Sequence, residues 1–185
     1  MQERRPLDRR SFLAMAAGTA ALAAAAPAEA AHRIGIARSL AFENLHTGET
    51  LKTVYWADGH YDPAGMRRIN HLLRDFRTEQ IHPIDPRLLD LLSALQSRLR
   101  TRAPYQVISG YRSPATNAML ASFTDGVVPN SLHTQGMAID IRVPGRALSD
   151  LHATAVSLRS GGVGYYPGPD FVHVDVGRVR YWGKA

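Results

Sequence analysis

SLHTQGMAIDIRV, residues 131–143, decides how the chain folds. Its first half is a polar loop that carries His133 and ends at Gly136, a residue free to take the positive φ of a turn. From Met137 to Val143 apolar and polar residues alternate. Met137, Ile139, Ile141 and Val143 therefore share one face of a strand, and Ala138, Asp140 and Arg142 share the other. A carboxylate inside an aliphatic strand is costly to bury unless it is paired or bound to a metal. A second histidine is framed in the same way, in DFVHVD (170–175), where Val172 and Val174 flank His173. His133, Asp140 and His173 make two imidazoles and one carboxylate, a set that holds a catalytic metal while leaving a position open. Spacing alone leaves a second reading open: an Asp–His hydrogen bond buttressing neighbouring strands, with the other histidine unrelated.

The flanking segments set the fold class. Residues 39–56, SLAFENLHTGETLKTVYW, alternate on both sides of a turn at His46–Glu49, and Gly48 supplies the turn's positive φ, so a β-hairpin is expected. Asp62-Pro63 and Asp85-Pro86 are each a cap followed by proline at the first helical position. Helical spacing follows both, through Met66, Ile69, Leu72, Leu73 and Phe76, and through Leu88, Leu91, Leu92, Leu95 and Leu99. Arg98 and Arg100 suit the C-terminal end of the second helix. A short strand at 105–109 runs into Gly110-Tyr111-Arg112-Ser113-Pro114, which opens a third helix through Leu120. A helix at about 147–158 and strands at 162–166, 171–176 and 178–182 complete the chain. Helices gathered ahead of a run of strands predict an α+β fold, a small antiparallel sheet with helices packed on one side.

Composition narrows the function. The chain has 185 residues, 45% of them apolar, which suits one globular domain. A net charge of +6 and a pI near 10.1 favour anionic partners of some kind. There is no long run of like charge and no aromatic RNA-binding motif, so nucleic acid gains no support beyond net charge. The chain has no cysteine, which excludes disulfides and thiolate metal sites. Arg9-Arg10-Ser11-Phe12-Leu13 precedes an alanine-rich apolar run to Ala26 and a small-x-small Ala28-Glu29-Ala30, the pattern of a cleaved twin-arginine export signal. That run falls short of the ~20 strongly apolar residues a membrane span needs, so no stable anchor is expected after cleavage. Residues 1–30 are therefore expected to be the signal and residues 31–185 a single domain in the periplasm or cell envelope.

Six histidines, at positions 32, 46, 60, 71, 82 and 152, sit among ordinary polar residues and are expected to be solvated or structurally bonded. Two residues near the trio carry more. Asp170 lies three before His173, behind a Pro-Gly-Pro turn, where a carboxylate can take a proton from an attacking water. Arg112, after a strand end, offers a forked donor for a substrate carboxylate or carbonyl oxygen.

Ser109-Gly110-Tyr111-Arg112-Ser113, Ser131-x-His133 with Asp140 seven on, and Asp170-x-x-His173 together resemble the D-Ala-D-Ala-type zinc peptidases, which share a fold with lysostaphin-type enzymes and the hedgehog signalling domain. The longer strings SGYRSPATNAML, LHTGETLKTVYW and FVHVDVGRVRYW are similar to the murein endopeptidase K branch, and the likeness runs over about residues 38–182. The resemblance implies one zinc ion per chain held by His133, Asp140 and His173. It also implies Asp170 as general base and then acid, Arg112 as the group that stabilises substrate or developing oxyanion, and Ser131 as a substrate-binding position. Some relatives carry a histidine two before the last ligand, where this chain has Phe171. Asp175, on the same strand face as His173, is then either a fallback base or a carboxylate that orients an imidazole.

The function so implied is hydrolysis of peptide cross-links or stem peptides of peptidoglycan, with D,D or L,D and endo or carboxy cleavage left open. An alternative is the same fold used as a zinc-containing module that binds wall peptides without turnover. The presence of both Asp170 and Arg112 argues against it.

Overall fold

Residues 37–123 and 130–183 are described in the structure, a computed structural model. The expected export signal, and residues 124–129 of the polar segment ahead of Ser131, lie outside the described residues. Alternating residues form β1 (Arg38–Asn44) and β2 (Thr50–Ala57), joined at the expected turn, where Gly48 has φ 72°. A two-residue strand, β3 (His60–Tyr61), follows where the sequence predicts a loop. Next come α1 (Pro63–Leu72), α2 (Pro86–Arg98), β4 (Tyr105–Ser109), α3 (Pro114–Phe123), β5 (Ala138–Arg142) and α4 (Leu148–Leu158). The chain ends in β6 (Gly162–Tyr166), β7 (Phe171–Asp175) and β8 (Arg180–Trp182).

Both Asp-Pro starts behave as the sequence predicts. The Asp62 carboxylate accepts from the backbone N–H groups of Ala64 and Gly65, and Asp85 accepts from that of Arg87. α1 stops four residues short of Phe76 because the chain turns at Leu73 into a closed loop, with the Asp75 N–H donating to the Gln80 carbonyl at 3.0 Å. Phe76 leaves the helical stripe and stacks on His46, with ring centroids 4.1 Å apart.

The sheet order is β3-β2-β1-β4-β5-β7-β6-β8, so the fold is α+β with a sheet larger than the small one expected. It is also mixed, since β1 runs parallel to β4 and β6 parallel to β8. Chain geometry accounts for both parallel pairs. The α1–α2 segment is a crossover long enough to bring β4 alongside β1 in the same direction. β7 returns antiparallel to β6, and β8, reversing again near Gly177, lies on the far edge of β6.

One face of this sheet is the core. Phe42, Tyr105, Val107, Ile139, Ile141, Val172 and Val174 join Ile69, Leu88, Leu92, Leu95, Leu151 and Ala155 of α1, α2 and α4 in one apolar cluster. The alternation of strand side chains sends Asp140, Tyr166, Phe171, His173 and Asp175 to the opposite face. The register pairs Asp140 with His173 and His173 with Gly164, which sets the site in mid-sheet. Among the described residues no helix is long and apolar enough to cross a membrane.

The loop after α1 reaches the site through Asp75, which is 1% exposed. Its carboxylate accepts from the N–H groups of Ser113 and Arg77, at 2.9 and 3.0 Å, and so fixes the chain next to Arg112. Burial alone would raise its pKa, yet the hydrogen bonds from Ser113, Thr116 and Arg77 lower it to about 2. A carboxylate with a depressed folded-state pKa stabilises the fold above its unfolded value of about 3.9 and loses that contribution as pH falls through the folded value. Asp75→Asn should therefore cost roughly 1–3 kcal/mol at neutral pH in denaturant unfolding. The gap from the parent chain should close between about pH 4 and pH 2. A gap that does not depend on pH would contradict the ionised role.

Candidate metal centre

His133 is presented by a single 3-10 turn, Leu132–Gln135, which the strand-and-loop pattern did not predict. Ser131 caps the turn with its hydroxyl against the His133 N–H, and Gly136 closes it at φ 66°. That positive φ is the turn-back needed to bring His133 over β5. A side chain at Gly136 would also strike the Pro83 carbonyl, so glycine is required there on two counts. Asp140 and His173 face each other across the β5–β7 pair.

Three atoms converge. His173 Nδ1 lies 2.9 Å from Asp140 Oδ1, His133 Nε2 lies 3.2 Å from the same oxygen, and the two ring nitrogens are 3.1 Å apart. All three residues are buried, and they form the one group of this kind among the described residues. The far side of each imidazole is fixed. His133 Nδ1 is 2.7 Å from the Gly110 carbonyl oxygen, and His173 Nε2 is 3.0 Å from Asp175 Oδ2. A carbonyl and an ionised carboxylate can only accept, so the imidazole protons belong on those outer nitrogens. In the neutral rings the inner nitrogens then carry lone pairs aimed, with Asp140 Oδ1, at one point. Three acceptors at this separation repel one another unless a cation lies among them, and the donor set fits a divalent metal.

The titration of the trio has the same origin. Burial holds His133 below the ordinary imidazole range. Burial opposes the charged form of His173 too, but hydrogen bonds to Asp140 and Asp175 outweigh it and raise its pKa. Burial would raise the Asp140 pKa, yet the charges and hydrogen bonds of the two histidines drive it far below the carboxylate range.

Arg112 lies where the sequence places it, beyond the end of β4. Its backbone N–H donates to the His133 carbonyl at 3.2 Å, and its terminal nitrogen is 3.6 Å from Asp140 Oδ2. Burial lowers its pKa, and the charge of Asp140 works against that. Its Nε is buried without a partner among the described residues. Asp170 ends the β6–β7 turn at φ 59°, is mostly exposed, and is paired with Arg142 at 2.8 Å. Ser131 is buried beneath the turn it caps. Asp175 is fully buried behind His173, and its carboxylate also accepts from Gly162 N, Gly177 N and both terminal nitrogens of Arg180. Surrounded in this way it has no open side toward a substrate, which suits orientation of an imidazole and not the work of a base.

Sequence reasoning missed the Gly110 carbonyl, the Arg142 partner of Asp170, and Trp182, whose ring centroid lies 5.2 Å from that of His173. The first is a backbone group with no side-chain signal. The others depend on strand register, which residue types alone do not reveal. Of the other histidines, His46 bonds the Ile108 carbonyl, His82 stacks on Tyr111 and His152 packs on Tyr165, while His32 lies outside the described residues.

Asp175→Asn keeps the size of the side chain and removes the charge that fixes the His173 tautomer. Metal affinity, measured by competition with a chromogenic chelator, should fall ~10–100-fold. An unchanged affinity would show that His173 does not need this partner.

Residues 32–182 match the family described as peptidoglycan L,D-endopeptidase MepK. The peptidoglycan L,D-endopeptidase MepK of Escherichia coli is 44% identical over 178 residues, covering 95% of this chain and 97% of the relative. The Shigella flexneri protein of that name matches equally, and the probable peptidoglycan L,D-endopeptidase MepK of Haemophilus influenzae is 44% identical over 146 residues, 78% of each chain. With that family matched over most of its length, the chain belongs to the peptidoglycan L,D-endopeptidase MepK family.

Proposed function

We propose that the protein is an exported, zinc-dependent endopeptidase that cuts L,D peptide bonds in peptidoglycan. The observation that carries this is the convergence of His133 Nε2, Asp140 Oδ1 and His173 Nδ1, with both imidazoles backed by a fixed partner, beside the Arg112 guanidinium. Two imidazoles and a carboxylate also suit ferrous iron, and it is membership of a peptidase family that favours zinc. The names of the relatives favour L,D among the bonds the sequence leaves open. The Arg9-Arg10 pattern supports export by the twin-arginine route, with residues 31–185 as one peptidase domain. The basic balance of the chain favours approach to an anionic wall.

When bound, the ion would act as a Lewis acid on the scissile carbonyl and make water acidic enough to attack near neutral pH. The chain's residues do the rest. Arg142 holds Asp170 Oδ2 and leaves Oδ1 without a protein partner among the described residues, so that oxygen takes the proton of the attacking water and passes it to the departing amine nitrogen. Arg112 donates to the carbonyl oxygen as its charge grows, and the burial that lowers its pKa strengthens that interaction. Asp175 holds the His173 tautomer, and Ser131 holds the turn that carries His133.

Purified protein incubated with isolated murein should convert L,D-cross-linked muropeptide dimers to monomers. A chelator should stop the reaction and added zinc restore it. Asp170→Ala should lose turnover while zinc stays bound. Murein left unchanged by the zinc-loaded parent chain would reject the peptidase and leave a binding module, and full turnover by Asp170→Ala would reject Asp170 as base.

A further inference from the structure

The geometry points to Tyr166 as a further substrate-contacting residue, whose phenolic O–H, oriented by Trp182, donates to the scissile carbonyl oxygen as that oxygen gains charge. The inference rests on the peptidase reading above. Tyr166 is on the site face of β6, two residues beyond Gly164, which is paired with His173. Its ring is held from two sides. It stacks on Phe171 at a centroid distance of 4.6 Å, and its hydroxyl oxygen lies 2.8 Å from Trp182 Nε1. An indole nitrogen can only donate, so the hydroxyl accepts there and its own single proton is directed elsewhere. No acceptor for that proton occurs among the described residues.

The indole sits where it does because of Gly164. A Cβ at that position would lie 2.6 Å from the Trp182 ring. Glycine lets the indole cross β6, so that His173, Trp182 and Tyr166 make one continuous wall beside the metal centre. Arg112 borders the same centre, with a terminal nitrogen 3.6 Å from Asp140 Oδ2. The phenolic O–H and the Arg112 guanidinium, both beside this centre, suit an oxygen that becomes negative during the reaction.

During hydrolysis the water oxygen bonds to the carbonyl carbon, the carbonyl oxygen takes up charge and then reforms its double bond, and the C–N bond breaks. The proton from water reaches the amine nitrogen through Asp170. The phenol keeps its proton throughout and contributes a hydrogen bond that strengthens as the carbonyl becomes tetrahedral. Phe171, which stands where some relatives are expected to carry a histidine, has a place in this scheme as the surface that fixes the Tyr166 ring.

Tyr166→Phe removes the hydroxyl and keeps the stack. With the zinc-loaded full domain and a soluble cross-linked muropeptide, kcat should fall at least tenfold, toward the ~10²-fold cost of a lost oxyanion donor, while KM stays within about twofold. Affinity for a phosphinate peptide that mimics the tetrahedral carbon, read by calorimetry, should fall by a similar factor, with zinc content and melting temperature unchanged. An unchanged kcat, or a raised KM at unchanged kcat, would overturn the assignment, the second by making Tyr166 a ground-state contact. Absence of cleavage by the parent chain would instead reject the peptidase reading and take this inference with it.

Discussion

Two imidazole nitrogens and a carboxylate oxygen, all within about 3 Å of one another and all acceptors, cannot rest together in a protein interior unless positive charge lies among them. The surrounding structure is arranged to keep them in that position. The β5–β7 register sets Asp140 against His173, and the 3-10 turn lowers His133 onto the pair. Behind the trio, the Gly110 carbonyl and the Asp175 carboxylate keep the imidazole protons on the outer nitrogens, and Arg112 lies beside the second oxygen of Asp140. Releasing any of these partners would let an imidazole turn or change tautomer, and the convergence would be lost.

These partners are themselves tied to the fold. The Gly110 segment is fixed by the loop after α1, since the Tyr111 N–H donates to the Leu73 carbonyl and the Ser113 N–H to Asp75. Asp175 is held by Arg180 at the start of β8, whose neighbour two residues on is Trp182. The helical and strand-rich parts of the chain thus meet at the trio, one behind His133 and the other behind His173. In the proposed mechanism Arg112 extends from the first of these segments, Tyr166 is held by Trp182 of the second, and Asp170 is held by Arg142 of β5.

The features legible in the sequence were those written in local patterns. The alternation at 137–143 places Asp140 on the polar face of a strand, and the two Asp-Pro pairs mark the starts of α1 and α2 to the residue. The trio stands out in the sequence as residue types set in unusual surroundings, and the structure brings the three together. The parts that depend on which strand lies beside which were not legible. The parallel placement of β4 and β8 turned a small antiparallel sheet into a mixed one of eight strands. The reach of Trp182 across Gly164, and of Arg142 to Asp170, follows from register alone. Phe76 keeps the helical spacing in the sequence, but the backbone has already turned at Leu73 and the ring stacks on His46 instead.

In the proposed site the metal is bound by these three side chains and no others from the protein. A crystal of the zinc-loaded protein, with diffraction recorded on both sides of the zinc absorption edge, tests this most directly. One edge-dependent anomalous peak per chain is expected, about 2.0–2.2 Å from His133 Nε2, Asp140 Oδ1 and His173 Nδ1. A peak elsewhere, or none between those atoms in zinc-loaded protein, would contradict it.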